Sequence, residues 1–263
     1  MNPLRLEQMT MFDIAPEEIV DIAEALDIAL VSVFLVDGMP GARPVTHANK
    51  APLLSRLRDS SVRVDAAEVF MLGAQAELPE SEIALAAELG CGAVTALDIL
   101  PADGHQAADQ LAALCRLAGS YGLTVALEPI SMGRTRTVHD GLRLLQAAGA
   151  PNARLTFDLL HVMRTGTPLT DLAGLDRNLI ASAQVCDGPA LPPPDLVAEA
   201  SFERGIPGSG AFPIAAFLEL LPADVTVGLE VPLASLRQAG LSAKERTRKV
   251  VEAIRNLNRG EHT

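Results

Sequence analysis

Short apolar runs alternate along the chain with segments in which apolar residues recur at helical spacing. The helical segments include PEEIVDIAEAL, AADQLAALCRLAGSYG and VHDGLRLLQAAGA, and a weaker sixth helix is expected near PLTDLAGLD. Because the apolar runs are short and lie between helical segments, the pattern predicts strands joined by helices, which form a parallel sheet. The predicted strands cover 6–11, 29–36, 62–72, 93–100, 123–130, 153–160, 180–187 and 225–231.

Residues that typically begin and end helices lie at the borders of these segments. Thr137-Val-His-Asp140 and Ser242-Ala-Lys-Glu245 have the spacing of a capping box, in which the first and fourth residues bond each other's backbone N–H. Gly90 and Gly122 follow two helical segments, where a left-handed residue commonly ends a helix. The helix borders therefore agree with a series of βα units.

The polar residues that end the last four strands decide between an open sheet and a closed barrel. In Thr124-Val-Ala-Leu-Glu128 and Thr226-Val-Gly-Leu-Glu230, the residues that share a face with the terminal glutamate are small or polar, and the opposite face is apolar. A barrel interior beneath a polar mouth has this pattern, and closure brings neighbouring strand ends together. We therefore expect an α/β fold, a (β/α)8 TIM barrel, formed by residues 1–263 as a single domain.

Composition and charge narrow the class of protein. Hydrophobic residues make up 49% of the 263 residues, which is enough for a large core, and the net charge is −12. Because phosphate binding needs clustered Lys and Arg, a nucleic-acid partner is not expected. The N-terminus lacks the apolar run of a signal peptide, and no stretch approaches a membrane span. The three widely spaced cysteines form no disulfide framework, so we expect a cytoplasmic protein.

Four polar residues occupy equivalent positions at the ends of neighbouring strands: Glu128, Asp158, Gln184 and Glu230. Each can offer an oxygen to a hard divalent cation, and carboxylates brought this close would raise one another's pKa unless a cation neutralised them. A single acid at a strand end can equally be solvated or paired with an arginine. Four such residues in phase, each after an apolar strand where charge is costly, predict a site for one divalent metal ion, Mn²⁺, Mg²⁺ or Co²⁺.

Several motifs over 106–232 resemble the xylose isomerase-like barrels, specifically the sugar phosphate isomerase/epimerase group. They are Gly122-Leu-Thr-Val-Ala-Leu-Glu128-Pro, Phe157-Asp158-Leu-Leu-His161, Gln184-Val-Cys-Asp187, Arg204-Gly-Ile-Pro-Gly-Ser-Gly210 and Gly228-Leu-Glu230. The resemblance implies that the two glutamates, Asp158 and Gln184 bind the metal, that the glutamates move a proton to and from carbon, and that His161 and Arg204 contact the substrate. Two positions depart from the family pattern: Gln184, where many sugar epimerases have His, and Ser209, where the usual pattern has an acid between the glycines.

Each of three further residues near the strand ends could have a role in the site or a purely structural role. Arg134, in the loop after the fifth strand, could clamp a carboxylate or phosphate of the substrate, or it could be a solvated loop charge. Asp187 could orient Arg204 or a neighbouring ligand, or it could cap its own loop. Glu68 could reach the mouth of the barrel if its side chain faces inward, or it could pair with another barrel charge. The substrate-binding candidates are therefore His161, Arg204, Asp187 and Arg134.

These residues predict an enzyme that moves a proton beside a carbonyl. A divalent cation would stabilise an enediolate, one of Glu128 and Glu230 would remove the proton, and the other would return it. Return on the opposite face is epimerisation, and return at the next carbon is aldose–ketose isomerisation. We therefore expect an isomerase or epimerase of carbohydrate metabolism that acts on a small sugar or keto-polyol. Loss of a β-hydroxyl, as in the dehydratases of keto-inositols and dehydroshikimate, is the alternative on the same barrel.

Two other classes agree less well with the sequence. The endonuclease IV phosphodiesterases share the barrel but use a His-rich trinuclear zinc site and a basic groove, whereas this chain has five histidines and a net charge of −12. A non-catalytic sugar-binding barrel would not need metal ligands on four strands. The expected partner is a small polyhydroxy keto substrate, whose anionic end Arg204 could bind. No nucleic acid or membrane is expected, and a homodimer or homotetramer is left open.

Overall fold

A computed structural model of the chain describes residues 2–36, 41–73 and 77–259. Eight parallel strands close into a barrel in the order of the sequence, and the last strand pairs with the first. The expected (β/α)8 architecture is confirmed. The strands are β1 (Leu4–Leu6), β2 (Leu30–Phe34), β3 (Arg63–Leu72), β4 (Ala93–Asp98), β5 (Thr124–Leu127), β6 (Ala153–Asp158), β7 (Ile180–Val185) and β8 (Thr226–Leu229).

Helices connect the strands and surround the barrel. In the described ranges they are α1 (Pro16–Ala25), α2 (Lys50–Arg58), α3 (Glu80–Glu88), α4 (Gly104–Ser120), α5 (Val138–Ala148), α6 (Leu159–Thr165), α7 (Leu196–Phe202), α8 (Ile214–Leu220), α9 (Ala234–Gln238) and α10 (Ala243–Arg259). Short 3-10 helices cover Gln8–Met11, Leu169–Asp171 and Arg177–Leu179. Among the helices described, none combines the length and the apolar character needed to cross a membrane.

The predicted helix borders are present where the sequence places them. The N–H of Asp140 bonds Oγ1 of Thr137 (3.1 Å), and the N–H of Thr137 bonds Oδ2 of Asp140 (2.9 Å), so this capping box begins α5. Gly90 and Gly122 have φ angles of 85° and 77°, in the left-handed region that favours glycine. The apolar helix faces then pack on the outer faces of the strands, where Phe157 of β6 is 1% exposed.

The first strand is shorter than the sequence predicted, and the prediction of a strand over 6–11 was wrong. β1 ends at Leu6, and Gln8–Met11 forms a 3-10 helix. The side chain of Gln8 accounts for the break, because it accepts the N–H of Phe34 (2.6 Å) and donates to the carbonyl of Arg43 (2.9 Å). Met11 is fully buried in this 3-10 helix, so the apolar residues that suggested a strand reflect packing instead.

The sixth helix also lies elsewhere than predicted. α6 begins directly after β6, because Oδ1 of Asp158 accepts the N–H of Leu160 (2.8 Å) and caps the helix. The segment PLTDLAGLD contains the 3-10 helix Leu169–Asp171 in place of the expected α-helix. His161 therefore lies in the first turn of a helix, close to Asp158.

The barrel interior contains buried ion pairs as well as apolar side chains. Arg5 is 3% exposed and donates to Oε1 of Glu7 (2.8 Å) and to Oδ2 of Asp65 (2.9 Å). The carboxylate of Glu7 fills the space that a Cβ at position 228 would occupy, so Gly228 is required on β8. Charged side chains thus lie deep inside the barrel, below the mouth at which the strands end.

Candidate active site

The four strand-end residues converge at the C-terminal mouth of the barrel. Asp158 and Gln184 are register partners on β6 and β7, and Glu128 and Glu230 directly follow β5 and β8. All four are buried, with exposures between 1% and 6%. Because a buried charge is costly unless it is paired or neutralised, this group requires compensating positive charge nearby.

Arg204, which follows α7 and is 4% exposed, supplies part of that charge. Its guanidinium lies 2.7 Å from Oδ2 of Asp158 and 2.7 Å from Oε2 of Glu230, and its Nε donates to the carbonyl of Ala200 (2.9 Å). The structure therefore places Arg204 at the site that the sequence predicted. It joins two of the strand-end carboxylates, and all three of its nitrogens are engaged by the protein.

Gln184 shows most directly whether this site fits a metal ion. Its side-chain N–H donates to Oε1 of Glu230 (3.0 Å), and its own Oε1 is buried without a hydrogen-bond partner. Buried amide oxygens ordinarily have a partner, and a divalent cation is one that would satisfy it. Ligand atoms of Glu128, Asp158 and His161 also lie within 4.8 Å of one another, so the carboxylates of Glu128 and Asp158 are close enough to share one ion beside the histidine ring.

The balance of buried charge agrees with this fit. Along the axis of the described barrel, buried acids outnumber buried arginines, and the excess negative charge must be relieved by protons or by a cation. The acids are Glu7, Glu68, Glu128, Asp158 and Glu230, and the arginines are Arg5 and Arg204. Carboxylate and amide oxygens are ligands that Mg²⁺ and Mn²⁺ prefer. The residues present therefore fit a hard divalent cation at the mouth.

Burial and mutual repulsion separate the pKa values of the three strand-end carboxylates. Burial, together with the charges of Glu230 and Asp158, raises the pKa of Glu128 well above its usual range. Burial also raises the pKa of Glu230 to about 8, although Arg204 opposes the shift. Burial acts in the same direction on Asp158, but Arg204 and His161 outweigh it and lower the pKa of Asp158. The mouth thus combines one firmly ionised acid with two that readily hold a proton.

His161 turns Nε2 toward these carboxylates. Nε2 lies 3.7 Å from Oδ2 of Asp158 and 3.9 Å from Oε1 of Glu128. Nδ1 accepts the backbone N–H of Ser131 (3.3 Å), which leaves the proton of the neutral ring on Nε2. Burial lowers the pKa of His161 to about 4, so the ring is neutral at physiological pH. In this state His161 presents an N–H to the site, as a residue that contacts substrate would.

A cavity of about 440 Å³ opens at the mouth, within the range of ~300–1,000 Å³ that is typical of small-molecule sites. Glu128, Glu230, His161 and Arg204 line it. Glu68 lines it as well, is 2% exposed, and has an Oε1 without a hydrogen-bond partner. Burial and the charges of Glu7 and Glu230 raise the pKa of Glu68. Of the two roles considered for Glu68, the structure supports a side chain that faces the mouth of the barrel over one that only pairs with another barrel charge.

Two of the predicted substrate-binding residues do not line this cavity. Arg134 is exposed, and its Nη1 donates to the carbonyl of Leu100 (3.4 Å). Asp187 is 1% exposed, and its carboxylate accepts four backbone N–H groups, those of Gly188, Gly208, Gly210 and Phe212. These contacts indicate that Arg134 is a solvated loop charge and that Asp187 caps its own loop.

Three residues of the barrel interior and the mouth were not predicted from the sequence: Arg5, Glu7 and Ser131. Arg5 and Glu7 alternate with Leu4 and Leu6, a period of two that places both charges on one face of a strand. That signal was present, but the misplaced first strand concealed it. The contact between Ser131 and His161 has no local signal, because it joins two segments 30 residues apart.

A comparison with known protein families identifies the family to which the chain belongs. The sequence profile described as xylose isomerase-like TIM barrel matches residues 74–258. The chain belongs to the xylose isomerase-like TIM barrel family. The matched region includes all four strand-end residues as well as His161 and Arg204, and the resemblance that the motifs indicated is confirmed. A comparison with curated protein sequences gave no significant match.

Solved structures share the fold at low sequence identity. The IolI protein with a bound zinc atom has a TM-score of 0.75 and 15% identity, with 96% of each chain covered. A D-allulose 3-epimerase from Methylomonas sp. has a TM-score of 0.71 and 13% identity, with 97% of each chain covered. The probable 3-DHS dehydratase AsbF from Bacillus anthracis has a TM-score of 0.71 and 16% identity over 96% of this chain and 98% of that one. At these identities, the similarity shows the fold alone.

Proposed function

We propose that this chain is a divalent-metal-dependent enzyme that transfers a proton at the carbon beside a carbonyl, as an isomerase or epimerase. One observation carries the proposal: Glu128 and Glu230, both with a raised pKa, line the same cavity beside a buried aspartate and an unpartnered amide oxygen. The activity named for the D-allulose 3-epimerase and the zinc bound by IolI support extending this chemistry to a barrel of the same fold.

The metal ligands would be Glu128, Asp158, Gln184 and Glu230, whose available donor atoms are oxygens. When bound, Mn²⁺, Mg²⁺ or Co²⁺ supplies positive charge that stabilises a substrate carbonyl oxygen as the neighbouring carbon loses its proton. Arg204 keeps Asp158 and Glu230 in place through its two contacts of 2.7 Å. His161 presents its Nε2–H to a substrate oxygen.

The proton steps belong to the two glutamates. One of Glu128 and Glu230 accepts the proton from carbon, and the other returns a proton. Return to the opposite face of the same carbon inverts that centre, which is epimerisation. Return to the adjacent carbon, together with transfer of the hydroxyl proton to the former carbonyl oxygen, moves the carbonyl, which is isomerisation. Two proton-holding groups on one cavity are sufficient for either outcome.

A second candidate is dehydration on the same barrel, which the similarity in fold to AsbF supports. After a proton leaves carbon, a β-hydroxyl can depart as water if a neighbouring acid protonates it. Glu230 lines the same cavity as Glu128, so the proton that one glutamate takes from carbon can be returned to the departing hydroxyl from within this cavity. The same two glutamates therefore serve this reaction, and the substrate decides which outcome follows.

Solvent-deuterium incorporation separates these outcomes. Mn²⁺-loaded protein is incubated in D₂O with ketoses, inososes and hydroxypyruvate, and the products are analysed by mass spectrometry. An isomerase or epimerase adds deuterium at carbon without loss of water, whereas a dehydratase releases water. Glu128→Gln should abolish exchange, and Glu219→Gln, on the exposed side of α8, should leave it unchanged. Crystals grown in excess Mn²⁺ without an ion on at least three of the four ligands would refute the proposal.

A further inference from the structure

The cavity at the barrel mouth has two chemically different halves. Its ionisable residues are Glu68, Glu128, His161, Arg204 and Glu230, and all except Glu68 come from the second half of the barrel. Eleven of the seventeen described residues that line the cavity are apolar. Most of these apolar residues come from the ends of β2, β3 and β4 and from the segment after β5. They include Phe34, Val69, Met71, Leu97, Ile99 and Met132, which we call the apolar wall.

Most residues of the apolar wall are partly exposed, although Phe34 is buried. Val69, Met71, Leu97, Ile99 and Met132 are all partly exposed, whereas the neighbouring Phe70 is 4% exposed and packs in the core. These side chains would shed water on contact with a ligand, and each apolar group they bury stabilises the complex. A fully hydroxylated ligand would gain no such stabilisation, because its hydroxyls would lose water without finding hydrogen-bond partners on this wall.

The arginines also give no support to an anionic end on the substrate. Arg204 is engaged with Asp158, Glu230 and a backbone carbonyl. Arg134 and Arg136 are exposed and are not among the residues that line the cavity. The described residues that face a ligand are therefore acids, one neutral histidine, one engaged arginine, Ser201 and apolar side chains, most of them in the apolar wall and next to it.

We infer that the substrate is amphipathic: an α-hydroxy carbonyl group binds at the strand-end carboxylates, and an apolar body lies against the wall of β2, β3 and β4. This inference rests on the proposed function, because the metal-binding residues fix the polar end. The cavity of about 440 Å³ corresponds to roughly 15 water molecules in the liquid, which leaves room for an apolar body of on the order of ten non-hydrogen atoms. An alkyl or aromatic α-hydroxy ketone fits this description better than a free hexose, in which every carbon carries an oxygen.

The test uses hydroxamates, which chelate divalent metals through two oxygens on neighbouring atoms. An α-hydroxy carbonyl group would chelate a metal in the same way. Dissociation constants of acetohydroxamate, butanohydroxamate and hexanohydroxamate for the Mn²⁺-loaded protein are measured by calorimetry. Threonohydroxamate provides a hydroxylated chain with the same number of carbons as butanohydroxamate. Each methylene that reaches the wall should strengthen binding about fourfold, so hexanohydroxamate should bind on the order of 100-fold more tightly than acetohydroxamate. Threonohydroxamate should bind more weakly than butanohydroxamate.

Two variants locate the effect. Met71→Gln keeps the length of an unbranched side chain but makes this part of the wall polar, so the gain per methylene should fall while the affinity for Mn²⁺ alone stays unchanged. Leu191→Gln is the matched control, because Leu191 is 80% exposed and does not line the cavity. It should leave both affinities unchanged, and retained Mn²⁺ binding shows that each variant is folded.

The outcomes separate this inference from the proposed function. Equal affinity for all chain lengths, or tighter binding of threonohydroxamate, overturns the amphipathic substrate and leaves the metal site standing. A steep dependence on chain length that Met71→Gln does not alter overturns the assignment of the apolar body to this wall. Failure of the protein to bind Mn²⁺ or any hydroxamate overturns the proposed function and, with it, the inference.

Discussion

Asp187→Asn tests how the protein holds the loop that carries Arg204. Oδ1 and Oδ2 of Asp187 each accept two backbone N–H groups at 2.8–3.0 Å, and its backbone forms two hydrogen bonds with Gly205 (2.8 and 2.7 Å). A Cβ at position 210 would collide with the same carboxylate, so the loop can close around Asp187 only with Gly210 in place. This single carboxylate therefore organises the segment that follows Arg204.

The expected loss of stability follows from the number of donors that asparagine leaves without a partner. Asparagine keeps the shape but has one acceptor oxygen, so two of the four N–H groups would face an NH₂ group. Each unsatisfied buried donor costs about 1–3 kcal/mol, which gives a loss of roughly 2–6 kcal/mol in the free energy of unfolding. Two of the four bonds are only partly buried, so the lower half of this range is expected. Even ~3 kcal/mol is a large part of the ~5–15 kcal/mol that stabilises a typical domain.

Urea unfolding followed by far-ultraviolet circular dichroism measures this loss, since the chain has no Trp and one Tyr for fluorescence. Asp195→Asn is the control, because Asp195 is exposed and its carboxylate accepts the N–H of Ala198 (2.9 Å) as the cap of α7. Asparagine caps a helix about as well as aspartate, so the control should change stability by less than ~0.5 kcal/mol. If Asp187→Asn costs no more than the control, the carboxylate does not hold the loop and the reasoning fails.

Three further changes test the site and one helix cap. Arg204→Met should destabilise the metal-free protein by about 3–5 kcal/mol, because it leaves buried carboxylates unpaired, and Mn²⁺ should raise its thermal midpoint more than that of the wild type; equal shifts would contradict this. Glu230→Gln should lower kcat by roughly 10²–10⁴-fold with an unchanged circular dichroism spectrum, and a far smaller loss would exclude a proton-transfer role. Burial works to raise the pKa of Asp140, but hydrogen bonds from Thr137 and Arg136 lower it. The stabilisation by Asp140 is therefore present above the ordinary aspartate pKa of 3.8 and lost as the pH falls through the lowered value. Asp140→Asn removes the negative charge from the first turn of α5 but keeps an acceptor oxygen, so it should cost about 0.3–1 kcal/mol at neutral pH, and a cost that persists in strong acid would refute this cause.

The barrel and the convergence of its strand-end residues could be predicted because both depend on local periodicity. In β5 and β8, alternate residues fix which face is buried, and the glutamate that follows shares the phase of the interior face. Parallel strands in a closed barrel all end at one mouth, so residues in equivalent positions must meet there. Glu128 and Glu230 thus come together although 102 positions separate them in the sequence.

The partners of these residues could not be predicted, because they depend on contacts between distant segments. Arg204 reaches Asp158 across 46 positions, and the sequence offered only its loop and its charge. Glu68 was ambiguous because β3 shifts register between Ala67 and Phe70, so strict alternation cannot assign its face. The apolar wall was missed for a similar reason: residues such as Leu97 have the pattern of ordinary strand residues, and only the closed barrel places them beside the cavity.

The charges at the mouth explain why a cation and a pair of protons are alternative ways to stabilise the same site. Among the proposed metal ligands, Glu128, Asp158 and Glu230 would carry three negative charges when ionised, and Arg204 neutralises one of them. Two charges remain, and two of the acids, Glu128 and Glu230, have a raised pKa, whereas Asp158 does not. A divalent cation supplies the same two charges that two protons would, and metal binding requires ionised ligands, so it displaces those protons. The glutamates that hold the protons are also the ones proposed to move them, so the charge balance that makes room for a metal also provides the groups for proton transfer.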